Sequence, residues 1–227
     1  CGVRCRKPCA VRWLRRRRID LEFDSAHPVG CSHHQKIAVI DDKLAVCGGI
    51  DMTDKRWDTR EHLEHDSRRR RLGGRRYGPW HDMTMMIEGP AAGALDELEP
   101  HFDNVEIGIA RPRAEYEDDP GVKEIETLFA EQIGRAKRFI YAESQYFASR
   151  QIAEAMCARL AADDPPEIVI INPETADGWI ESTVMDPARA RLVRSILDVD
   201  RQDKFRLFLP YSGETPIYVH AKHLIVD

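Results

Sequence analysis

Apolar residues are spaced along this chain in two rhythms. Short runs rich in aliphatic and β-branched residues fall at 19–23, 36–40, 44–47, 82–87, 138–142, 167–171, 204–209 and 217–226. Runs of this length and composition read as strands. The segments 90–102, 151–162 and 187–199 instead carry apolar residues at helical spacing, as helices with one buried face do. Asp186 reads as the N-cap of the last helix, with Pro187 in its first turn. Asn172-Pro173 ends the strand before it. From residue 138 onward strand and helix alternate, which argues for an α/β sheet. Residues 103–121 hold Pro112, Pro120 and Gly121 with Glu115, Glu117, Asp118 and Asp119, and read as a linker between two halves.

One string occurs twice. His34-Gln35-Lys36, closed by Asp41, has the form H-x-K-x-x-x-x-D, and His220-Ala221-Lys222, closed by Asp227, repeats it 186 positions later. The residue frequencies predict only about 0.03 chance matches per chain. Both copies fall on predicted strands. The first is followed by a turn, Asp41-Asp42-Lys43, and a partner strand ending in Gly48-Gly49, whereas the second is preceded by strand–helix alternation. Each copy shows what the other lacks. The chain therefore reads as a slice, truncated at both ends, of a larger two-repeat protein. Residues 1–18 are an uncertain basic, Cys-rich stretch. Residues 19–112 form the C-terminal part of a first repeat, and 113–227 a second repeat ending at its motif.

On a strand, residues two apart share a face. His34 and Lys36 project together, as do His220 and Lys222. An imidazole beside a fixed ammonium suits an anionic tetrahedral centre. The ammonium holds non-bridging oxygens, and the imidazole serves as nucleophile or proton carrier near neutral pH. Asp41 and Asp227 fall at the strand ends, where a supporting role in strand or turn geometry is natural. If the halves pack about a pseudo-twofold axis, the two His–Lys pairs face each other across one cleft. One His then attacks phosphorus, and the other protonates the leaving alcohol and activates the incoming water or alcohol. The scheme needs no metal and no cofactor.

Charge narrows the partners. The net charge is −5, which does not suit a bulk nucleic-acid binder. Positive charge is clumped at 15–18 and 68–71, so anion binding would be local. The longest apolar runs, such as Ile37–Ile40, are far too short to span a bilayer. Cys1, Cys5 and Cys9 recur at every fourth position, yet no His or second Cys pair completes a zinc pattern. Cys31, Cys47 and Cys157 read as buried free thiols.

Several other residues carry two readings. Asp51 and Asp58 follow the first motif, and a carboxylate on the far nitrogen of a catalytic His would fix its tautomer. Asp58 suits that role or a turn or salt bridge. Glu143 could orient a site group or satisfy local amides. Trp57 and Trp80 suit core packing or a cleft wall. His62, His65 and the arginines 68–71 beside Gly73-Gly74 read as a solvated loop. Contact with lipid head groups is the alternative for the arginines. His33 and His223 adjoin the motifs but face away from them, and no chemistry is assigned to either.

With its paired H-x-K-x-x-x-x-D strings the sequence resembles the phospholipase D superfamily. Gly48-Gly49-Ile50-Asp51 and Arg56-Trp57-Asp58 look like the G-G-[LI]-D…R-W-D segment of phospholipase D proper, and not of the short nuclease branch. Pro79-Trp80-His81-Asp82 looks like the family's P-W-H-D entry. Tyr141-Ala142-Glu143-Ser144-Gln145-Tyr146-Phe147 is similar to its I-Y-I-E-N-Q-Y-F segment, with Ala142 and Ser144 as departures. Ile217-Tyr218-Val219 also matches.

The resemblance implies two pseudo-twofold-related α/β/α sandwich repeats with mixed sheets and an active site at their interface. It implies a phosphodiesterase acting on a glycerophospholipid such as phosphatidylcholine at a membrane surface. Phosphatidic acid and the head-group alcohol are the products, with transphosphatidylation when an alcohol replaces water. The implied catalytic residues are His34, Lys36, Asp41, His220, Lys222 and Asp227, with His34 as nucleophile and His220 as general acid/base. Gly49, Asp51, Asp58 and Glu143 are the supporting residues. A cardiolipin synthase-like phosphatidyltransferase using the same residues and a catalytically silent lipid-binding fragment are the alternatives. No nucleic acid and no stable protein partner is expected. The expected location is the cytoplasm, in soluble or peripheral form, with secretion left open by the missing N-terminus.

Overall fold

The computed structural model describes residues 27–28, 34–51, 53–97 and 109–227. The chain divides into two units. One draws on Cys1–Gln35 and Arg111–Glu124, the other on Lys36–Ala110 and Ile125–Asp227. The second unit therefore joins sequence from both sides of the expected linker.

That unit opens with β1 (Ile37–Ile40) and β2 (Leu44–Gly48), an antiparallel hairpin with Ile40 opposite Leu44. Its turn places Asp41 and Asp42 at φ 52° and 54°, a left-handed conformation that short polar side chains tolerate. β3 (Trp80–His81) comes next, then β4 (Thr84–Glu88), which pairs with β2 to complete a three-stranded antiparallel sheet. α1 (Pro90–Glu97) covers it, with Ala91 and Ala92 buried. The expected helix continues to 102, but its last residues lie outside the described ones. So do the expected strand 19–23, Cys1, Cys5, Cys9, Cys31, His33 and the arginines 15–18.

In the first unit, β5 (Pro112–Arg113) and β6 (Val122–Lys123) pair antiparallel. Gly121 closes this hairpin at φ 73°, where a Cβ would come 2.7 Å from the Arg113 carbonyl. α2 (Glu124–Arg135) leads back into the second unit.

There, β7 (Phe139–Ser144), α3 (Arg150–Leu160), β8 (Glu167–Ile171), α4 (Trp179–Leu197) and β9 (Phe205–Phe208) alternate. The three strands run parallel, as crossover helices require. Central β8 buries Ile168 and Ile170 almost completely, which accounts for its unbroken aliphatic run. Ser149 caps α3 by accepting from the Ile152 N–H. The buried stripe Ala153, Met156 and Leu160 of α3 meets Ile133, Ile140, Ile168, Ile196 and Phe205 in one apolar core. β10 (Tyr211–Ser212) and β11 (Thr215–Pro216) form a small hairpin. β12 (Tyr218–Val219) and β13 (Lys222–Val226) follow. β13 pairs antiparallel with β7, so this sheet is mixed, in the order β13-β7-β8-β9. Helices and sheets together make an α/β protein. Among the described residues, no helix is long and apolar enough to cross a membrane.

Three expected boundaries differ. α4 begins well ahead of Pro187, which lies inside it, and its N-cap is Gly178. The Asp186 carboxylate caps nothing at that helix start. It accepts from the Ala176 N–H at 3.3 Å and pairs with Arg189 at 3.6 Å. The expected strand 217–226 breaks at His220-Ala221, and the expected strand 82–87 starts only at Thr84. The reason for both breaks is a change of partner. β12 pairs parallel with β3, Tyr218 opposite Trp80 and Val219 opposite His81, before the chain turns to pair with β7. Asp82 and His220 stand just beyond this short pair.

Candidate active site

The β3–β12 pair sets the position of His220. Its backbone N–H donates to the His81 carbonyl at 2.7 Å. Its ring donates from Nδ1 to Asp82 Oδ2 at 2.8 Å, with both side chains only 3% exposed. The other Asp82 oxygen accepts the Met83 N–H at 2.8 Å. With Nδ1 committed to a carboxylate, Nε2 is the ring nitrogen left for chemistry. Trp80 packs alongside, 5.2 Å from the His220 ring and stacked on Tyr218 at 4.7 Å.

Gly49 makes this contact possible. A Cβ there would lie 2.1 Å from Asp82 Oδ1 and 2.9 Å from the His220 carbonyl. The Gly49 N–H also ties the chain after β2 to the Met83 carbonyl at 2.9 Å. Only a residue without a side chain lets this turn lie against the Asp82–His220 pair.

Cations gather on the Nε2 side. Asp51 stands 3.8 Å from His220 Nε2 and accepts from Lys36 Nζ and Arg56 Nη2, each at 3.0 Å. Burial works to raise the Asp51 carboxyl, but the hydrogen bonds from Lys36 and Arg56 outweigh it and hold it below its ordinary value. Arg56 lies over the Trp80 ring, 4.1 Å from its centroid. Arg56 Nη1 is buried and unpartnered among the described residues. Lys222 Nζ donates to the His220 carbonyl at 2.6 Å. Burial pushes its ammonium down to about 8; Asp82 and Asp51 oppose that, and Lys36 and Arg56 add to it.

A second polar group lies beside the first. Asp58 accepts from Arg69 Nη1 at 3.0 Å and from the Trp80 N–H at 2.8 Å, and meets His62 Nδ1 at 3.1 Å. His62 contacts His81, and His81 contacts Glu143. Glu143 also accepts from the Tyr141 hydroxyl at 2.5 Å and lies 3.7 Å from His223. These contacts correct the loop reading. Arg69 is only 1% exposed, because it neutralises a buried carboxylate and donates to the Leu63 and Glu64 carbonyls. His62 is half-buried in the same group, whereas His65 and Arg68 are exposed.

Of the residues singled out in the sequence, the structure brings Lys36, Gly49, Asp51, His220 and Lys222 together. Asp58 and Glu143 each hold a histidine, but His62 and His81, not His220. His34 is exposed and belongs to the first unit. Asp41 lies exposed in the β1–β2 turn. Asp227 caps the start of β7, accepting the N–H groups of Lys137, Arg138 and Phe139 at 3.2, 2.9 and 2.9 Å. These bonds hold its carboxyl well below the usual range. Asp82 and Arg56 are the residues that sequence reasoning missed. Asp82 stands in the quoted P-W-H-D string, but a strand spacing cannot show which distant His it meets. Trp57 is half exposed, and Cys47 and Cys157 are half-buried free thiols. Among the described residues no cluster of His, Cys, Asp or Glu is arranged to hold a metal ion.

No family model matches the chain. Phospholipase D B of Dictyostelium discoideum is 32% identical over 91 residues, covering 29% of this chain and 8% of that protein. The chain thus spans less than a tenth of that protein's length, and the match shows a partial, phospholipase D-like similarity.

Proposed function

We propose that this chain carries a phosphodiester-transferring site of the phospholipase D type. The observation that carries the reading is His220, its Nδ1 bound to buried Asp82 and its Nε2 turned toward Asp51, which holds Lys36 and Arg56, with Lys222 Nζ on the His220 carbonyl. A carboxylate-held imidazole beside three cations suits a tetrahedral phosphorus with anionic oxygens. The second H-x-K-x-x-x-x-D string and the partial similarity point the same way. We read β1 and β13, which the two strings lead into, as counterparts in two halves related by an approximate twofold axis.

In this reading His34 is the nucleophile and His220 the general acid/base. The His34 ring nitrogen attacks phosphorus as the bond to the head-group oxygen breaks. His220 Nε2 gives its proton to that oxygen, and a phosphohistidine ester remains. His220 then takes a proton from water, whose oxygen displaces His34 and releases phosphatidic acid. An alcohol in place of water gives the transphosphatidylation product. Lys36, Lys222 and Arg56 neutralise the non-bridging oxygens throughout. Asp41 and Asp227 support the turn and strand ends of their motifs. The substrate is a glycerophospholipid presented at a membrane surface.

The test is head-group release from phosphatidylcholine vesicles, with ethanol added in a parallel reaction. Choline release and phosphatidylethanol, both lost in His220→Asn, support the reading. Cardiolipin formed from phosphatidylglycerol without choline release would favour the phosphatidyltransferase alternative. Vesicle binding without turnover would leave only a lipid-binding module, and DNA cleavage without action on lipid would overturn the substrate class.

A further inference from the structure

The reaction above leaves four buried or half-buried groups unused, and they form an unbroken line. Asp58 Oδ2 lies 3.1 Å from His62 Nδ1, His62 Nε2 lies 3.1 Å from His81 Nδ1, and His81 Nε2 lies 2.6 Å from Glu143 Oε2. The two rings meet edge-on, with planes 80° apart. Each contact joins two electronegative atoms, so each needs a hydrogen between them. Two neutral imidazoles bring one N–H apiece, which fills two contacts of three. The line closes only when it holds one proton more than two neutral imidazoles beside two carboxylates. Without that proton, one contact sets lone pair against lone pair.

The surroundings retain the charge. Glu143 takes the Tyr141 hydroxyl on Oε1, leaving Oε2 for His81. Its hydrogen bond raises His81 above the ordinary imidazole value; burial works the other way, and the charges of Glu143 and Asp82 add to the rise. Arg69 on Asp58 is the cation facing the line, and the His223 ring lies 3.7 Å from Glu143. The Trp80 and Thr59 N–H groups fix the Asp58 end.

We propose that His62 and His81 share one additional proton, and that this proton-completed line is the device that positions His220. The coupling runs through β3. The His81 side chain is tied to Glu143 of β7, its carbonyl accepts the His220 N–H, and the next residue, Asp82, holds the His220 ring. His62 and His81 are positioning residues here, and neither touches substrate. This rests on the reading of His220 as a reacting group. Because His81 is raised in the folded state, the clamp is fully present below the ordinary imidazole range. It is lost as pH rises through the raised value.

A pH titration of the chain labelled with ¹⁵N-histidine reads the proton directly. The expected result is that His81 keeps both ring nitrogens protonated above the pH at which a free imidazole is neutral. In His62→Phe the acceptor facing His81 Nδ1–H is lost, so the charged form of His81 loses a partner and its titration moves downward. Glu143→Gln, whose amide can face a neutral His81, moves it the same way. The alkaline limb of kcat/KM on phosphatidylcholine vesicles shifts with it, while KM stays near the parent value. His81 titrating at the ordinary imidazole value, or a titration unmoved by His62→Phe, overturns the proposal. The spectrum needs no substrate. A raised, variant-sensitive His81 in a chain that cleaves no lipid therefore refutes the lipid reading and leaves the proton line standing.

Discussion

Replacing Asp82 by Asn tests the core of the site with almost no change in shape. Asp82 Oδ1 accepts the Met83 N–H at 2.8 Å, and Oδ2 accepts His220 Nδ1–H at the same distance. An amide has one oxygen. The backbone donor claims it, which leaves the NH2 against His220 Nδ1. The ring must then carry its hydrogen on Nε2 and accept at Nδ1. A neutral imidazole in that tautomer can neither attack phosphorus nor take a proton from water through Nε2. The same swap behind a catalytic His in the serine-protease triad lowers kcat about 10⁴-fold, or about 5 kcal/mol of transition-state stabilisation. Folding loses less, because a charged hydrogen bond is replaced by a neutral one, on the order of 1–2 kcal/mol. The assay pairs choline release from phosphatidylcholine with a urea denaturation curve. A fall of 10³-fold or more in kcat beside a modest loss of stability is expected. A folded variant within tenfold of the parent would refute the tautomer argument.

Three further outcomes follow from the geometry. Gly49→Ala forces a methyl group to 2.1 Å from Asp82 Oδ1. It should cost about 1–3 kcal/mol in denaturation and lower choline release at least as far as Asp82→Asn, whereas Gly73→Ala, in open space, should change neither. Arg69→Met leaves the Asp58 carboxylate buried beside an apolar side chain. Breaking such a pair costs about 3–5 kcal/mol, read as a large drop in Tm, and a drop within error of zero would contradict the buried-pair reading. Lys222, depressed to about 8 by burial, loses its charge in the free protein as pH rises through that value, so kcat/KM should fall above it. Since the unfolded chain keeps that proton to higher pH, the same group makes folding stability rise with pH over that window. An alkaline fall in kcat/KM left unchanged by Lys222→Arg, whose charge survives at high pH, would mean that Lys222 does not hold the phosphoryl oxygens.

Local pattern foretold the sheet elements better than their partners. Glu167–Ile171 is visible as a strand because a central parallel strand carries apolar residues on both faces: Ile168 and Ile170 are buried on one, and Val169 and Ile171 are half-buried on the other. Pro187 misleads because it is favourable in a first turn, yet α4 runs through it and Asp186 turns to Ala176 and Arg189. The duplicated motif exposed His220, Lys222 and Lys36 because their spacing recurs. Asp82 and Arg56 lack such a repeat, and their roles depend on β3 meeting β12 across 138 positions. Arg69 shows the same limit. Its neighbours along the chain are exposed arginines, and only Asp58, eleven residues before it, makes its burial favourable.

The proposed reaction passes through a phosphatidyl group held on a histidine. Mass spectrometry after a denaturant quench at neutral pH, during turnover of phosphatidylcholine with ethanol, reads that intermediate. The account predicts a phosphatidyl adduct on His34, chased into phosphatidylethanol, with no adduct formed in His220→Asn. An adduct on His220 with none on His34 would reverse the two roles, and turnover with no histidine adduct at all would contradict the account.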